Sequence, residues 1–164
     1  RRACQAAKNL IIYTKKYKER KVENRRKTVL VIDGQGGRIG RSLIAALKER
    51  NIDASLICAG TNAFAAGRMQ SAGADVSVYG EESVIAAAMR ADIISGPIGI
   101  IIPGALKGEI SPEIAFTVAK SDAVKILVPL NKCNIIVAGV HDNTLAQNID
   151  ETVSRIILAS NADN

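Results

Sequence analysis

The chain has 164 residues, of which 48% are hydrophobic and 23% charged, a composition that fits one globular domain with its own core. Aromatic residues make up only 3% and Trp is absent, so short runs of Ile, Val, Leu and Ala favour an α/β sandwich over an all-β fold. The net charge of +6 is uneven, because residues 1–27 hold 11 Lys and Arg against two Glu, whereas residues 28–164 hold 11 against 14.

Composition also argues against a membrane protein and against a metalloprotein. The most hydrophobic segment, residues 93–103, is interrupted by two glycines and a proline, and no apolar run approaches the roughly 18 residues of a membrane span. The three cysteines are odd in number and widely spaced, at Cys4, Cys58 and Cys133, so they predict neither a disulfide framework nor a zinc site. We expect a soluble, cytoplasmic protein without a metal centre.

The first predicted element is a basic helix within residues 1–27 that ends near Asn24, because this segment has good helix formers and no Gly or Pro. One interpretation is an arm that binds nucleic acid, an anionic membrane surface or an acidic partner. We favour a solvated helix that packs on the body or on a second subunit, since a basic run alone lacks the fold context that would make nucleic-acid binding specific. Residues 28–164 form the second predicted domain, which is Rossmann-like and nucleotide-binding.

From Thr28 onwards, strand and helix patterns alternate. Strands are predicted at residues 28–33, 54–59, 74–80, 91–96, 123–130 and 134–140. Helices are predicted at residues 40–50, 63–72 and 81–90, after the N-cap Ser111 with Pro112 at its first position, and at residues 142–160. Right-handed crossovers would make the sheet mostly parallel. The sequence therefore predicts a Rossmann-like three-layer sandwich with about five or six strands.

The candidate site residues follow the strands, because open parallel sheets bind ligands outside the carboxyl ends of their strands. The cofactor-binding candidates are Gly34, Gln35, Gly36, Gly37, Arg38, Ile39, Gly40, Thr61, Asn62, Gly96, Pro97 and Ile98. The weak catalytic candidates are Cys133, Lys132 and Asn131, where the lysine charge would lower the pKa of the thiol. A cysteine in such a position more often packs against its neighbours than acts in catalysis. The only histidine, His141, has no evident triad partner and predicts a surface or capping residue.

The glycine-rich stretch VIDGQGGRIG, residues 31–40, ends a strand and opens an amphipathic helix. Its glycines have the spacing GxxGxxG, a variant of the dinucleotide fingerprint GxGxxG. Backbone N–H groups at such a helix start bind phosphate. A purely structural tight turn is the alternative. Asp33 would repel a phosphate, so we expect its carboxylate to accept backbone hydrogen bonds rather than to contact a ribose or a metal.

The end of the second predicted strand favours NADP over NAD. An NAD site usually has an Asp or Glu there to hold the ribose, whereas this chain has Thr61 and Asn62. These neutral residues, with Arg38, Arg41 or Arg68 nearby, would tolerate a 2′-phosphate. At least one of the two neutral residues is expected to cap the next helix instead.

Two family resemblances follow from these motifs. Over its glycine loop alone, VIDGQGGRIG is similar to the nucleotide fingerprint of dihydrodipicolinate reductases, which would make Arg38 a partner for a cofactor phosphate. That family needs a substrate domain and a His-rich motif that this chain lacks. The motifs VIDGQGG, GTNA, GPIG and PLNKCN, across about residues 28 to 158, resemble a small bacterial family that is a conserved domain of unknown function. That resemblance implies a Rossmann-like fold and no established activity.

Three functions remain open on these observations. The leading prediction is a nucleotide-binding module that acts as a sensor or a subunit, with a phosphate-bearing small molecule as ligand and with homo-oligomers expected. The second is a small NADP-dependent oxidoreductase whose active site is completed in an oligomer. The third is a nucleic-acid-binding or scaffold protein that uses the basic arm.

Overall fold

Five parallel strands form the centre of the computed structural model, which describes residues 26–130, 135–138, 140 and 143–162. The strands are β1 (Lys27–Asp33), β2 (Ala54–Gly60), β3 (Val76–Tyr79), β4 (Ile93–Pro97) and β5 (Val124–Val128). The helices are α1 (Arg38–Glu49), α2 (Ala63–Gln70), α3 (Glu81–Ala88), α4 (Pro112–Lys120) and α5 (Leu145–Asn161), with a short 3₁₀ helix at Ile98–Ile101. The predicted α/β sandwich is confirmed.

The strand order is β3-β2-β1-β4-β5, with every neighbouring pair parallel. The chain therefore builds outwards from β1 in one direction and then returns to β4 on the other side. This reversal places the topological switch point between β1 and β4, where open sheets of this kind form their ligand crevice.

Alternating side chains of β1 supply both halves of the core, as the period of two in a strand requires. Val29 and Val31 pack with α1, α2 and α5 on one face of the sheet. Leu30 and Ile32 pack with α3 and α4 on the other face. All four side chains are fully buried, and β1 is thus the central strand that fixes the loop after it.

Helices α2 and α3 begin at the predicted residues, whereas α5 begins at Leu145, three residues after its predicted start. Ser111 accepts a hydrogen bond from Ile114 N as the N-cap of α4, and Thr144 forms a capping box with Gln147 at the start of α5. Helix α1 begins at Arg38, two residues before the predicted start. The reason is that left-handed Gly37 serves as its N-cap.

The predicted sixth strand at residues 134–140 is not present in the described part of that segment, residues 135–138 and 140. A turn occurs there instead, with Val140 N donating to Val137 O at 3.4 Å. Ile136 is 84% exposed, whereas Ile135 faces a crevice beside the sheet. The short apolar run therefore predicted a strand wrongly, because Ile135 lines a crevice rather than pairing in the sheet.

The basic segment falls almost wholly outside the described residues, which begin at Arg26. Strand β1 starts one residue earlier than predicted, at Lys27, whose ammonium donates to Ala159 O at 3.0 Å. Arg26 forms an ion pair with Asp53 at 2.9 Å. No helix in the ranges that the structure describes is long and apolar enough to cross a membrane.

Candidate functional site

A crevice opens at the switch point between the carboxyl ends of β1 and β4, and we call it the switch crevice. Its volume is about 320 Å³. The glycine loop forms its polar rim, and the 3₁₀ helix and other apolar residues form its walls. It is lined by Asp33, Gly34, Gln35, Gly36, Arg38, Ile39, Pro97, Ile98, Gly99, Ala105, Leu106, Leu130, Ile135 and Leu145.

Seven of the predicted cofactor-binding residues line the switch crevice, namely Gly34, Gln35, Gly36, Arg38, Ile39, Pro97 and Ile98. The other five do not line it. Gly37 and Gly40 pack against α2, Thr61 and Asn62 lie on the β2 side of the loop, and Gly96 packs against the backbone of Ile32. The structure thus brings together about half of the prediction and separates the rest from the cavity.

Most of the glycines permit the chain to approach itself. Gly37 has φ +58°, and a Cβ there would lie 2.8 Å from the carbonyl oxygen of Ala65 in α2. A Cβ on Gly40 would lie 2.3 Å from the sulfur of Met69. Gly36 is different, since its nearest neighbour would be an Arg68 nitrogen at 3.6 Å. Close packing of α1 on α2 therefore explains Gly37 and Gly40, as the structural alternative stated.

Asp33 acts as an internal anion at the start of α1. Its Oδ1 accepts from Gly34 N and its Oδ2 from Gly40 N, both at 2.8 Å. The expectation that this carboxylate bonds to backbone amides is confirmed. The residue is only 4% exposed, and burial, together with the nearby charge of Glu109, raises its pKa by more than the amides of Gly40, Gly34 and Ile39 lower it.

Glu109 is a second internal anion on the glycine loop, and the sequence analysis did not identify it. Its Oε2 accepts hydrogen bonds from Gln35 N at 2.8 Å, from Asn62 Nδ2 at 3.0 Å and from the hydroxyl of Thr61. Burial raises the pKa of the Glu109 carboxyl, but these three hydrogen bonds and the charge of Lys107 lower it by more. The pKa of Glu109 therefore lies below its ordinary value.

Sequence reasoning missed Glu109 because the residue is distant in the chain and sits in an irregular stretch. No acid follows β2 in the sequence, but the loop that precedes α4 places the Glu109 carboxylate beside Thr61 and Asn62. One available signal was a single carboxylate in the largely apolar stretch PIGIIIPGALKGEI. Asn62 also accepts from Ala65 N at 2.8 Å as the N-cap of α2, which confirms its capping function.

Only two of the seven loop amides remain without an acceptor among the described residues. Gly34 and Gly40 donate to Asp33, Gln35 donates to Glu109, and the amide of Ile39 is close enough to the Asp33 carboxylate to lower its pKa. Gly37 N donates to the carbonyl of Gly34 at 2.8 Å, which leaves the amides of Gly36 and Arg38. The idea that the whole loop offers its amides to a ligand is therefore wrong.

Arginine side chains distribute positive charge unequally around the loop. Arg38 lines the switch crevice, is exposed, and its guanidinium has no hydrogen-bond or ion-pair partner within the described ranges. Arg68 instead donates to Gly36 O at 3.0 Å and lies over the Phe64 ring, 5.9 Å from its centroid. Arg38 is consequently the cation that the crevice offers to a ligand.

Several predicted residues cannot be compared with the structure. The weak catalytic candidates Asn131, Lys132 and Cys133 and the histidine His141 lie outside the described residues, as does the predicted basic helix. The oxidoreductase and nucleic-acid alternatives that depend on them remain predictions. In the described part of the chain, no cluster of three or more His, Cys, Asp or Glu side chains could hold a metal ion.

A Rossmann-like α/β domain with one crevice at its switch point is the class that this geometry defines. The chain belongs to the DUF3842 family, a domain of unknown function, whose model matches residues 28–161. The resemblance to a conserved domain of unknown function is thereby confirmed. No curated protein matches the chain.

Solved structures that are similar to this chain include two FMN-dependent decarboxylases. One is a dodecameric FMN-dependent UbiX-like decarboxylase from Escherichia coli O157:H7, with 16% identity and a TM-score of 0.47 over 84% of this chain and 96% of that one. The other is the FMN-dependent cysteine decarboxylase TvaF from thioviridamide biosynthesis, with 15% identity and a TM-score of 0.48 over 84% and 98% of the two chains.

Proposed function

We propose that the domain binds a small molecule carrying one phosphate group, of about mononucleotide size, in the switch crevice. The observation that supports this most is that the N–H groups of Gly36 and Arg38 and the Arg38 guanidinium, on one rim of the cavity, have no partner in the part of the chain that the structure describes. Amides at a helix start and an arginine are the donors that proteins use for phosphate. Three donor groups suit a single phosphate better than a pyrophosphate.

The apolar walls and the volume support a ligand with a ring system. The same cavity is lined by Ile98, Leu106, Leu130 and Leu145, so the body of the ligand would lose contact with water there. A cavity of about 320 Å³ is at the lower end of the range for small-molecule sites. It is small for a dinucleotide.

NADP is not the ligand that we propose. The 2′-phosphate was expected beside Thr61 and Asn62, but both side chains donate to the Glu109 carboxylate. A 2′-phosphate at that position would be repelled by the Glu109 carboxylate. The Thr61 and Asn62 side chains that should bind it already donate to that carboxylate. The nucleotide therefore extends towards β4 in this proposal rather than towards β2.

Isothermal titration with AMP and FMN as probes tests this function, and Arg38→Ala is the decisive variant. A charge-assisted hydrogen bond contributes about 1.5–3 kcal/mol, so Arg38→Ala should weaken binding by roughly ten- to a hundredfold. Arg41→Ala is the matched control, because Arg41 is exposed on the same helix but does not line the crevice. The proposal would be refuted if neither AMP nor FMN bound. It would also be refuted if Arg38→Ala and Arg41→Ala lost the same affinity.

A second pair of variants separates ligand binding from folding. Gly36→Asp adds a negative charge at the crevice where the structure has space, so it should abolish binding and leave the fold intact. Gly36→Ala adds only a methyl group and should retain most of the affinity. Binding by Gly36→Asp at the wild-type level would contradict a phosphate site on this loop.

We also propose that the domain works as a sensor or subunit in a homo-oligomer. Both edge strands carry exposed apolar side chains, Val76 and Tyr79 in β3 and Val124 in β5. Edge strands that present apolar side chains and unpaired backbone groups are common association surfaces. Light scattering after gel filtration should give a mass above 17.4 kDa, and a monomer at all concentrations would refute the association.

A further inference from the structure

The two sides of the glycine loop differ in what occupies them. On the β4 side lies the open switch crevice, and on the β2 side lies the carboxylate of Glu109. In a dinucleotide-binding sheet, the ligand extends to both sides of this loop. Here the side next to β2 holds a fixed negative charge that belongs to the protein.

Three donors converge on one oxygen of Glu109, and they come from two different loops. Gln35 N belongs to the loop after β1, whereas Thr61 and Asn62 follow β2. The carboxylate thus engages the polar groups that would otherwise contact a ligand crossing from β1 to β2. An incoming phosphate would need to displace Glu109 before it could use any of them.

The segment that carries Glu109 is held firmly in place. Gly104 N donates to Ile110 O at 2.8 Å and Gly108 N to Gly104 O at 3.0 Å, so the loop is closed by its own backbone hydrogen bonds. Ile110 and Ala105 anchor it in the core, with 1% and 7% of their surfaces exposed. The same loop contributes Leu106 to the wall of the switch crevice. One loop therefore shapes one side of the site and blocks the other.

We propose that Glu109 is a specificity-determining residue that closes the β2 side of the glycine loop to a second phosphate, so that the domain accepts mononucleotides and rejects dinucleotides. The inference rests on the proposed function for the wild-type ligand. It adds that Glu109 determines which class of nucleotide the same site accepts. Like-charge repulsion supplies the selectivity, together with the engagement of the three donors.

The test compares the affinities of NADPH and AMP for the wild type, Glu109→Ala and Glu109→Gln by isothermal titration. Glu109→Ala removes the charge and the bulk, and Glu109→Gln removes the charge alone and still reports if the alanine variant fails to fold. The ratio of NADPH to AMP affinity should rise at least about tenfold in both variants. Glu113→Gln is the matched control, since Glu113 is exposed in the first turn of α4 and should leave the ratio unchanged.

The outcomes separate this inference from the proposed function. If AMP binds the wild type but the ratio does not rise in either Glu109 variant, the inference is overturned and the function stands. If NADPH binding is lost on substitution, Glu109 holds the ribose instead of excluding it, which also overturns the inference. If the wild type binds neither probe while a Glu109 variant binds NADPH, the exclusion of a second phosphate by Glu109 stands, but the acceptance of mononucleotides and the proposed wild-type function fall. Binding of neither probe by any variant overturns both.

Discussion

Replacing Gly37 by alanine tests whether the glycine loop is built mainly for internal packing. A left-handed alanine costs about 1–2 kcal/mol relative to glycine. Its Cβ would also lie 2.8 Å and 2.9 Å from the carbonyl oxygen and Cα of Ala65, and both atoms belong to the backbone of α2. Relief of that overlap requires α1 and α2 to move apart, which is an overpacking cost of about 1–3 kcal/mol. We expect Gly37→Ala to lower the free energy of unfolding by about 3 kcal/mol.

Gly36→Ala is the control for this experiment, because its φ is not left-handed and its Cβ would have only an Arg68 nitrogen at 3.6 Å. Its effect should stay within about 0.5 kcal/mol, since nothing needs to move. Urea titration followed by circular dichroism measures both variants, and the melting temperature of Gly37→Ala should fall by about 6–12 °C. Equal stability of the two variants would refute the account of the loop as a close contact between α1 and α2.

Three further predictions concern the anions at the loop and a helix cap. Burial raises the pKa of Asp33 in the folded state, so the stability of the wild type relative to Asp33→Asn should be greatest below pH 3.8 and fall as the pH rises through the folded-state pKa; a flat difference in urea titrations across pH would contradict this. The pKa of Glu109 is lowered in the fold, so the stability of the wild type relative to Glu109→Gln should be present above pH 4.5 and be lost as the pH falls through the folded-state pKa; the opposite slope would exclude the hydrogen bonds from Gln35, Thr61 and Asn62. Thr144→Ala should lower the free energy of unfolding by about 1 kcal/mol, because it removes the capping box of α5; Thr144→Ser should retain most of that stability, and an equal loss would argue against the cap.

The order and type of most elements could be predicted from the chain, because each depends on neighbouring residues. The short apolar run of β1, the spacing of Leu43, Ile44 and Leu47 in α1, and the cap Ser111 are all local signals. The run at residues 134–140 was less informative. Apolar residues there predicted a strand, whereas Ile135 lines a crevice in the described structure.

The candidate site was only partly predictable, since its chemistry depends on contacts between distant segments. The glycine loop that follows the first strand and opens a helix is evident from the chain, because strand, turn and helix are consecutive. Which amides of that loop remain available depends instead on the folded arrangement of distant segments. Glu109 is 74 residues from Gln35 along the chain, yet its carboxylate takes that amide at 2.8 Å. The sequence around a backbone amide does not indicate which distant side chain will accept its hydrogen bond, because only the fold brings the two groups together.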